Sequence, residues 1–204
     1  MDLPDDLPLP LERGAPWWYW LGGRPALDFV NTRRERWWRD VETLVTPRDL
    51  AEWVVRAGLL SDEPPADAAL LAAARDLREA IDAAVTGTLA GWNEPAGEAL
   101  GVIDRWLPEA LVPSRLRATR GSPPVLMPGT PTDPGRHALG LIARDAAEML
   151  GTDERRRIRV CASETCSARF YDRSRSGRRR WCSMQGCGNV AKARRHRARQ
   201  AGSA

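Results

Sequence analysis

Residues 155–200 read RRRIRVCASETCSARFYDRSRSGRRRWCSMQGCGNVAKARRHRARQ, and they hold all four cysteines of the 204-residue chain. Cys161 and Cys166 are separated by four residues, Cys182 and Cys187 by another four, and fifteen residues lie between the pairs. Each short loop can turn two sulfurs toward one point, and the longer insert has the length of a hairpin. Four thiolates gathered in this way fill a tetrahedral ion and leave no open position, so one structural zinc ion is the expected cofactor. Cysteines confined to paired positions favour metal binding in a reducing compartment. Two short-range disulfides, or an iron–sulfur cluster, are the alternatives. Apolar residues in the segment are few: Ile158, Val160, Phe170, Tyr171, Trp181, Met184 and Val190. Such a module depends on its metal to fold.

Within the insert, Phe170-Tyr171 and Arg180-Trp181 are expected on two paired strands, with residues 174–177 turning between them. Cys187-Gly188-Asn189 leads into a predicted helix. Lys192, Arg195 and Arg199 follow the spacing of one helical face, and Arg194 and Arg197 widen it. Charge separates the chain into two unlike parts. Residues 155–204 carry 15 basic and 2 acidic side chains, a net +13, whereas residues 1–154 carry 16 basic and 25 acidic, a net −9. A basic part of this kind suits a polyanion. DNA is the expected partner, with the last helix in the major groove and Arg178, Arg179 and Arg180 on the backbone. RNA is the alternative partner, with Tyr171 or Trp181 stacking on a base. A solvated tail, or a clamp onto the acidic body, is the reading without nucleic acid.

The preceding residues predict a mostly helical body. Residues 1–16, acidic and proline-rich, read as a flexible lead, and residues 17–154 as the body. Thr46-Pro47 opens a helix that ends near Gly58. Further helices are predicted over about 66–90, 95–107 and 134–150 from their apolar periodicity. Between the last two, RLRAT at 115–119 pairs with VLM at 125–127 in a short hairpin. The aromatic run WWYW at 17–20, with Trp37 and Trp38, is expected to seal the body's packing surface. Asp28 and Asn31 share a helical face; they serve either a local hydrogen-bond network or a ligand pocket. His137 is isolated, and no residue beside it suggests a ligand set or a base. There is no Gly-rich phosphate loop, HExxH or nucleophile elbow, so no enzymatic activity is expected. No run of about 18 apolar residues predicts a membrane span. The N-terminus does not read as a secretory signal, and a cytoplasmic location is expected.

Cys161, Cys166, the run Arg180-Trp181-Cys182-Ser183-Met184 and Cys187-Gly188-Asn189 resemble the bacterial CGNR zinc-finger family. That family usually carries arginine after the asparagine; here the residue is Val190, with Lys192, Arg194 and Arg195 close by. Gly22-Gly23 followed by Leu27-Asp28-Phe29-Val30-Asn31-Thr32 resembles the ABATE domain, usually joined to this finger and described as a stress-induced transcription regulator. The resemblance implies a mainly α fold with small β elements. A helical N-terminal domain would precede a four-cysteine finger over 155–200, built as a treble-clef-like hairpin and helix. It also implies a regulator whose body senses a small-molecule effector, forms a homodimer, or does both. Two fingers would read paired half-sites, which one helix cannot. A small-molecule-binding protein whose pocket uses Asp28 and Asn31 is the remaining alternative.

Overall fold

The computed structural model describes residues 18–91, 97–118 and 120–201, so the lead expected over 1–16, and Trp17, lie outside the described residues. The chain is mainly α with three small hairpins. Its helices are α1 (Pro25–Val30), α2 (Pro47–Arg56), α3 (Ala68–Leu89), α4 (Gly97–Trp106), α5 (Pro134–Gly151) and α6 (Asn189–Ala201). The strands pair antiparallel as β1 (Arg33–Arg34) with β2 (Val41–Glu42), β3 (Arg115–Arg117) with β4 (Val125–Met127), and β5 (Ile158–Val160) with β6 (Arg169–Tyr171).

Local signals start the long helices where the sequence places them. The Thr46 hydroxyl accepts from the Asp49 N–H, while the Asp49 carboxylate accepts from the Thr46 N–H at 2.6 Å, and Pro47 fills the first turn. This reciprocal box satisfies donors that α2 leaves open. Asp67 and Asp133 cap α3 and α5 by accepting from Leu70 and Arg136. α2 ends where Gly58 adopts φ +72°, a left-handed conformation that glycine takes without cost.

The apolar faces of α1, α2, α3 and α5 meet in one core. Leu27, Phe29, Leu50, Trp53, Leu77, Ile81, Leu139, Ile142 and Met149 are all fully or nearly fully buried in it. α5 runs so close to the 3-10 turn at Leu107–Ala110 that a Cβ on Gly140 would stand 2.4 Å from the Ala110 nitrogen. Charged side chains are buried as well, and one of them braces a hairpin. Arg78 of α3, 2% exposed, donates twice to the Glu42 carboxylate at 2.7 and 2.6 Å and also reaches Glu79. It fixes the β1–β2 hairpin, which the sequence did not predict, against α3.

Two expectations change. Trp37 and Trp38 are not core residues. They sit on the β1–β2 turn, 51% and 57% exposed, and the Trp38 ring lies under the Arg39 guanidinium. Of the described aromatic run, only Trp18 is buried; Trp20 stacks at 5.7 Å on Trp53 from an exposed position. The second change concerns the cysteine segment. Its hairpin does not lie within the insert between the pairs. β6 pairs instead with β5, upstream of Cys161, in the register Ile158↔Tyr171, Arg159↔Phe170 and Val160↔Arg169. The Cys161–Cys166 loop is therefore the hairpin connection. The expected and observed connections are equal in length, so loop closure does not choose between them; the β5–β6 pairing seats Ile158 in the body's core and Phe170 beside the cysteines. Residues 174–177 do turn, with Gly177 at φ +62° donating to the Ser174 carbonyl.

Candidate metal centre and nucleic-acid interface

The first cysteine pair is presented by the end of the β5–β6 ladder. Cys161 N–H donates to the Ala168 carbonyl, which extends the ladder one step, and Cys166 N–H donates to Ser163 to close the loop. In the second pair, Cys182 precedes a π-helical turn, Met184–Gly188, and Cys187 lies within it just before α6. Ser183 starts that turn: its hydroxyl accepts from Gly186 N–H and its carbonyl accepts from Gly188 N–H. The two knuckles are joined by the Ala162 N–H donating to the Arg180 carbonyl at 2.8 Å.

This backbone brings the four sulfurs together. Cys166 and Cys187 each lie 3.8 Å from the Cys182 sulfur, and all four ligand atoms lie within 4.8 Å of one another. The cysteines are free, and a disulfide needs about 2.05 Å between sulfurs. A regular tetrahedron with metal–sulfur bonds of about 2.3 Å has edges of about 3.8 Å. The residues thus fit one tetrahedral ion. The closeness of the sulfurs also shifts their acidity. The S–H groups of Cys166, Cys182 and Cys187 hold the Cys161 thiol far below the usual range, and the proximity of Cys161 pushes Cys166 and Cys182 above it. Without a cation, crowded thiolates share protons; a bound cation replaces those protons.

Phe170 lies in the cluster with Cys161 and Cys182, Leu21, Ala168 and Trp181 pack against it, and buried polar groups brace the knuckles. Asp172 is fully buried and accepts from the Ser174 and Arg179 N–H groups at 2.9 Å; burial alone would raise its pKa, but these bonds hold it below the ordinary carboxylate value. Arg179, expected to touch nucleic acid, is committed elsewhere. Its guanidinium donates to the Cys182 carbonyl at 2.8 Å and lies over the Phe170 ring. It buttresses the second knuckle, which a charge run alone does not reveal.

Asp28 is half-buried and Asn31 buried, and both make hydrogen bonds within the molecule. Asp28 accepts from the Gly22 N–H at 2.7 Å, and burial pushes its pKa up to about 6 against that bond. A Cβ on Gly22 would meet the Asp28 nitrogen at 2.6 Å, so this loop packs onto α1 as only glycine permits. Asn31 caps α1 and reaches the cysteine segment. Its amide donates to the Arg169 carbonyl and accepts from the Arg169 N–H, both at 2.8 Å and both buried. Further links join body and finger. Tyr171 N–H donates to the Gly22 carbonyl, Trp37 Nε1 donates to the Glu164 carbonyl, and Arg169 pairs with Asp82 of α3 at 2.9 Å. Ile158 belongs to the body's core, while Leu21 packs on the small cluster of Cys161, Phe170 and Cys182. No local pattern marks Trp37, Asp82 or Arg169 as docking residues, because their partners are distant in the chain.

The remaining basic residues are presented outward. Arg178 and Arg180 are exposed, and so is every side chain of α6 from Lys192 through Gln200, including Arg194, Arg195, Arg197 and Arg199. Arg180 lies over the Trp181 ring at 5.1 Å, Arg194 pairs with Glu164 at 3.1 Å, and Arg195 reaches back to the Ala191 carbonyl. Val190, in the first turn of α6, is 50% exposed and apolar.

Among the described residues, no helix is long and apolar enough to cross a membrane. Comparison with known families matches residues 23–153 to ABATE, described as "Putative stress-induced transcription regulator", and residues 157–200 to the CGNR zinc finger. Among curated proteins, none matches the chain. The matched segments take in α1 through α5 and the four-cysteine centre with nearly all of α6. By these matches the chain belongs to the ABATE family and carries a CGNR zinc finger after the ABATE domain.

Proposed function

We propose that this protein is a DNA-binding transcription regulator of the cytoplasm, with one structural zinc ion held by Cys161, Cys166, Cys182 and Cys187. Zinc fits a closed set of four thiolates with tetrahedral edges, whereas a polynuclear iron–sulfur cluster spreads its thiolates over several irons. The metal does no chemistry on a substrate; it fixes the start of α6. The observation that carries the reading is that this helix begins at the metal centre and exposes Lys192, Arg194, Arg195, Arg197 and Arg199. Arginine donates in pairs to phosphates and to guanine edges, so such a helix can both hold and read a duplex. Sequence selection from randomised DNA by the zinc-loaded chain, with RNA as competitor, tests it. Replacing Lys192, Arg195 and Arg197 with glutamine should weaken binding at least tenfold. It should also flatten the salt dependence by about 0.9 log units per lost phosphate contact. Equal competition by RNA would reduce the site to a general polyanion patch.

The regulator acts as a homodimer in this proposal. Leu116 of β3 and Leu126 of β4 stand opposite each other and are 70% and 67% exposed. Isolated two-stranded ribbons are marginal in water, so an apolar one gains by being covered. A second copy about a twofold axis places the same patch against itself. Sedimentation should show a dimer that Leu116→Lys with Leu126→Lys converts to a monomer of unchanged helicity. A wild-type chain that stays monomeric at tens of micromolar would remove this part of the proposal.

A further inference from the structure

A small cleft lies between the first knuckle and the first turns of α6. It encloses about 190 Å³, and its wall includes Arg180, Trp181, Arg194, Arg195 and Glu164. Three arginines thus line one concavity. The Arg180 guanidinium is steadied over the Trp181 ring, and the Arg194 guanidinium is held by the Glu164 carboxylate. Glu164 is one of only two acidic residues after position 154, and the other, Asp172, is buried and spent on backbone N–H groups. A carboxylate presents a guanidinium with two oxygens, as a phosphodiester does.

We propose that this cleft is the seat for a backbone phosphate of the bound nucleic acid, and that Glu164 is a tethered competitor for it. The proposal rests on the nucleic-acid reading above. In the free protein Glu164 occupies Arg194. On binding, a phosphate takes that guanidinium, with Arg180 and Arg195 closing around it, and Glu164 is released toward solvent. The Glu164–Arg194 pair is exposed on both sides, 86% and 52%, so solvent screens it and its displacement is easy. The position of the competitor is set by the body. Trp37 of the β1–β2 turn holds the Glu164 carbonyl at 2.9 Å, and the Arg169 guanidinium lies over the Trp37 ring while pairing with Asp82. Movement of that turn would carry Glu164 with it and change how strongly the seat is contested.

The test is a double-mutant cycle in the zinc-loaded full chain, made of Glu164→Gln, Arg194→Gln and the pair, each titrated with a DNA duplex at about 0.1 M salt. Glu164→Gln should tighten binding roughly fivefold, the scale of one nearby charge in a wet site. That gain should vanish in the Arg194→Gln background. Equal gains in both backgrounds, or no gain, would overturn the competitor. In parallel, inorganic phosphate is titrated while the arginine side-chain NMR signals are followed. The Arg180 and Arg194 signals should move, and at lower phosphate in Glu164→Gln; unmoved signals would overturn the seat. A chain that binds no duplex but shows these phosphate shifts would sink the nucleic-acid reading and leave the anion seat standing.

Discussion

Stripping the metal from the full-length protein should unfold the finger and leave the helical body folded. The two halves have unequal means of standing alone. The body buries a continuous core across α1, α2, α3 and α5, whereas the finger's own cluster is Cys161, Phe170 and Cys182 with a few partly buried neighbours. Structural zinc sites contribute roughly 10–16 kcal/mol of binding free energy at neutral pH, which exceeds anything so small a cluster supplies. α6 exposes its side chains from Lys192 on and carries like charges along its length, so it has little reason to remain helical once its start is released. Chelation should therefore abolish amide protection at Phe170 and through α6, lower the far-UV helical signal, and leave the amides of α3 and α5 protected. Metal analysis before chelation should return one ion per chain, and Cys182→Ser should reproduce the chelated state. Persistent protection at Phe170 after complete metal removal would show that the finger does not depend on its ion.

The features legible in the sequence were those written in short spacings. Thr46-Pro47 marks a helix start because a cap and its donor lie within four residues of each other. The four cysteines announce a ligand set because two tight loops are enough to converge their sulfurs. Pairings made over long distances were not legible. Asn31 and Arg169 are 138 residues apart, and nothing local distinguishes an asparagine that bridges two modules from one that caps a helix. Trp37 has the composition of a core residue, yet its indole N–H finds a carbonyl of the first knuckle while its ring remains half exposed. Arg179 lies in a run of three arginines, and only the fold shows that the middle one turns inward to the Cys182 carbonyl. The strand pairing was misplaced for a related reason. Alternation identifies a strand but not its partner, and the partner of Phe170 proved to be Arg159 on the near side of the first cysteine.

Asn31→Ala should loosen the finger's docking on the body, with the other links between them still in place and both interiors intact. The amide of Asn31 completes the N–H and the C=O of Arg169, two buried backbone groups on the strand that carries Phe170. Truncation leaves both without a partner at roughly 1–3 kcal/mol each. The total, about 3 kcal/mol, corresponds to a fall in Tm of about 10 °C for a chain of this size. A core truncation such as Leu77→Ala would cost a similar amount, so the melting point alone does not identify the mechanism. The distribution of the loss does. Asn31→Ala should raise amide exchange at Arg169 and through the β5–β6 hairpin, with α3 and α5 affected less, whereas Leu77→Ala should loosen α3 first. A second consequence follows from linkage. If docking on Asn31 favours the arrangement that holds the metal, the metal must favour docking by the same free energy. Chelator should then strip the ion faster from Asn31→Ala than from the wild type, and chelation should lower the body's Tm less in the variant. A variant with unchanged metal release and a uniform rise in exchange would show that Asn31 is a cap for α1 and nothing more, and that the body does not hold the finger through it.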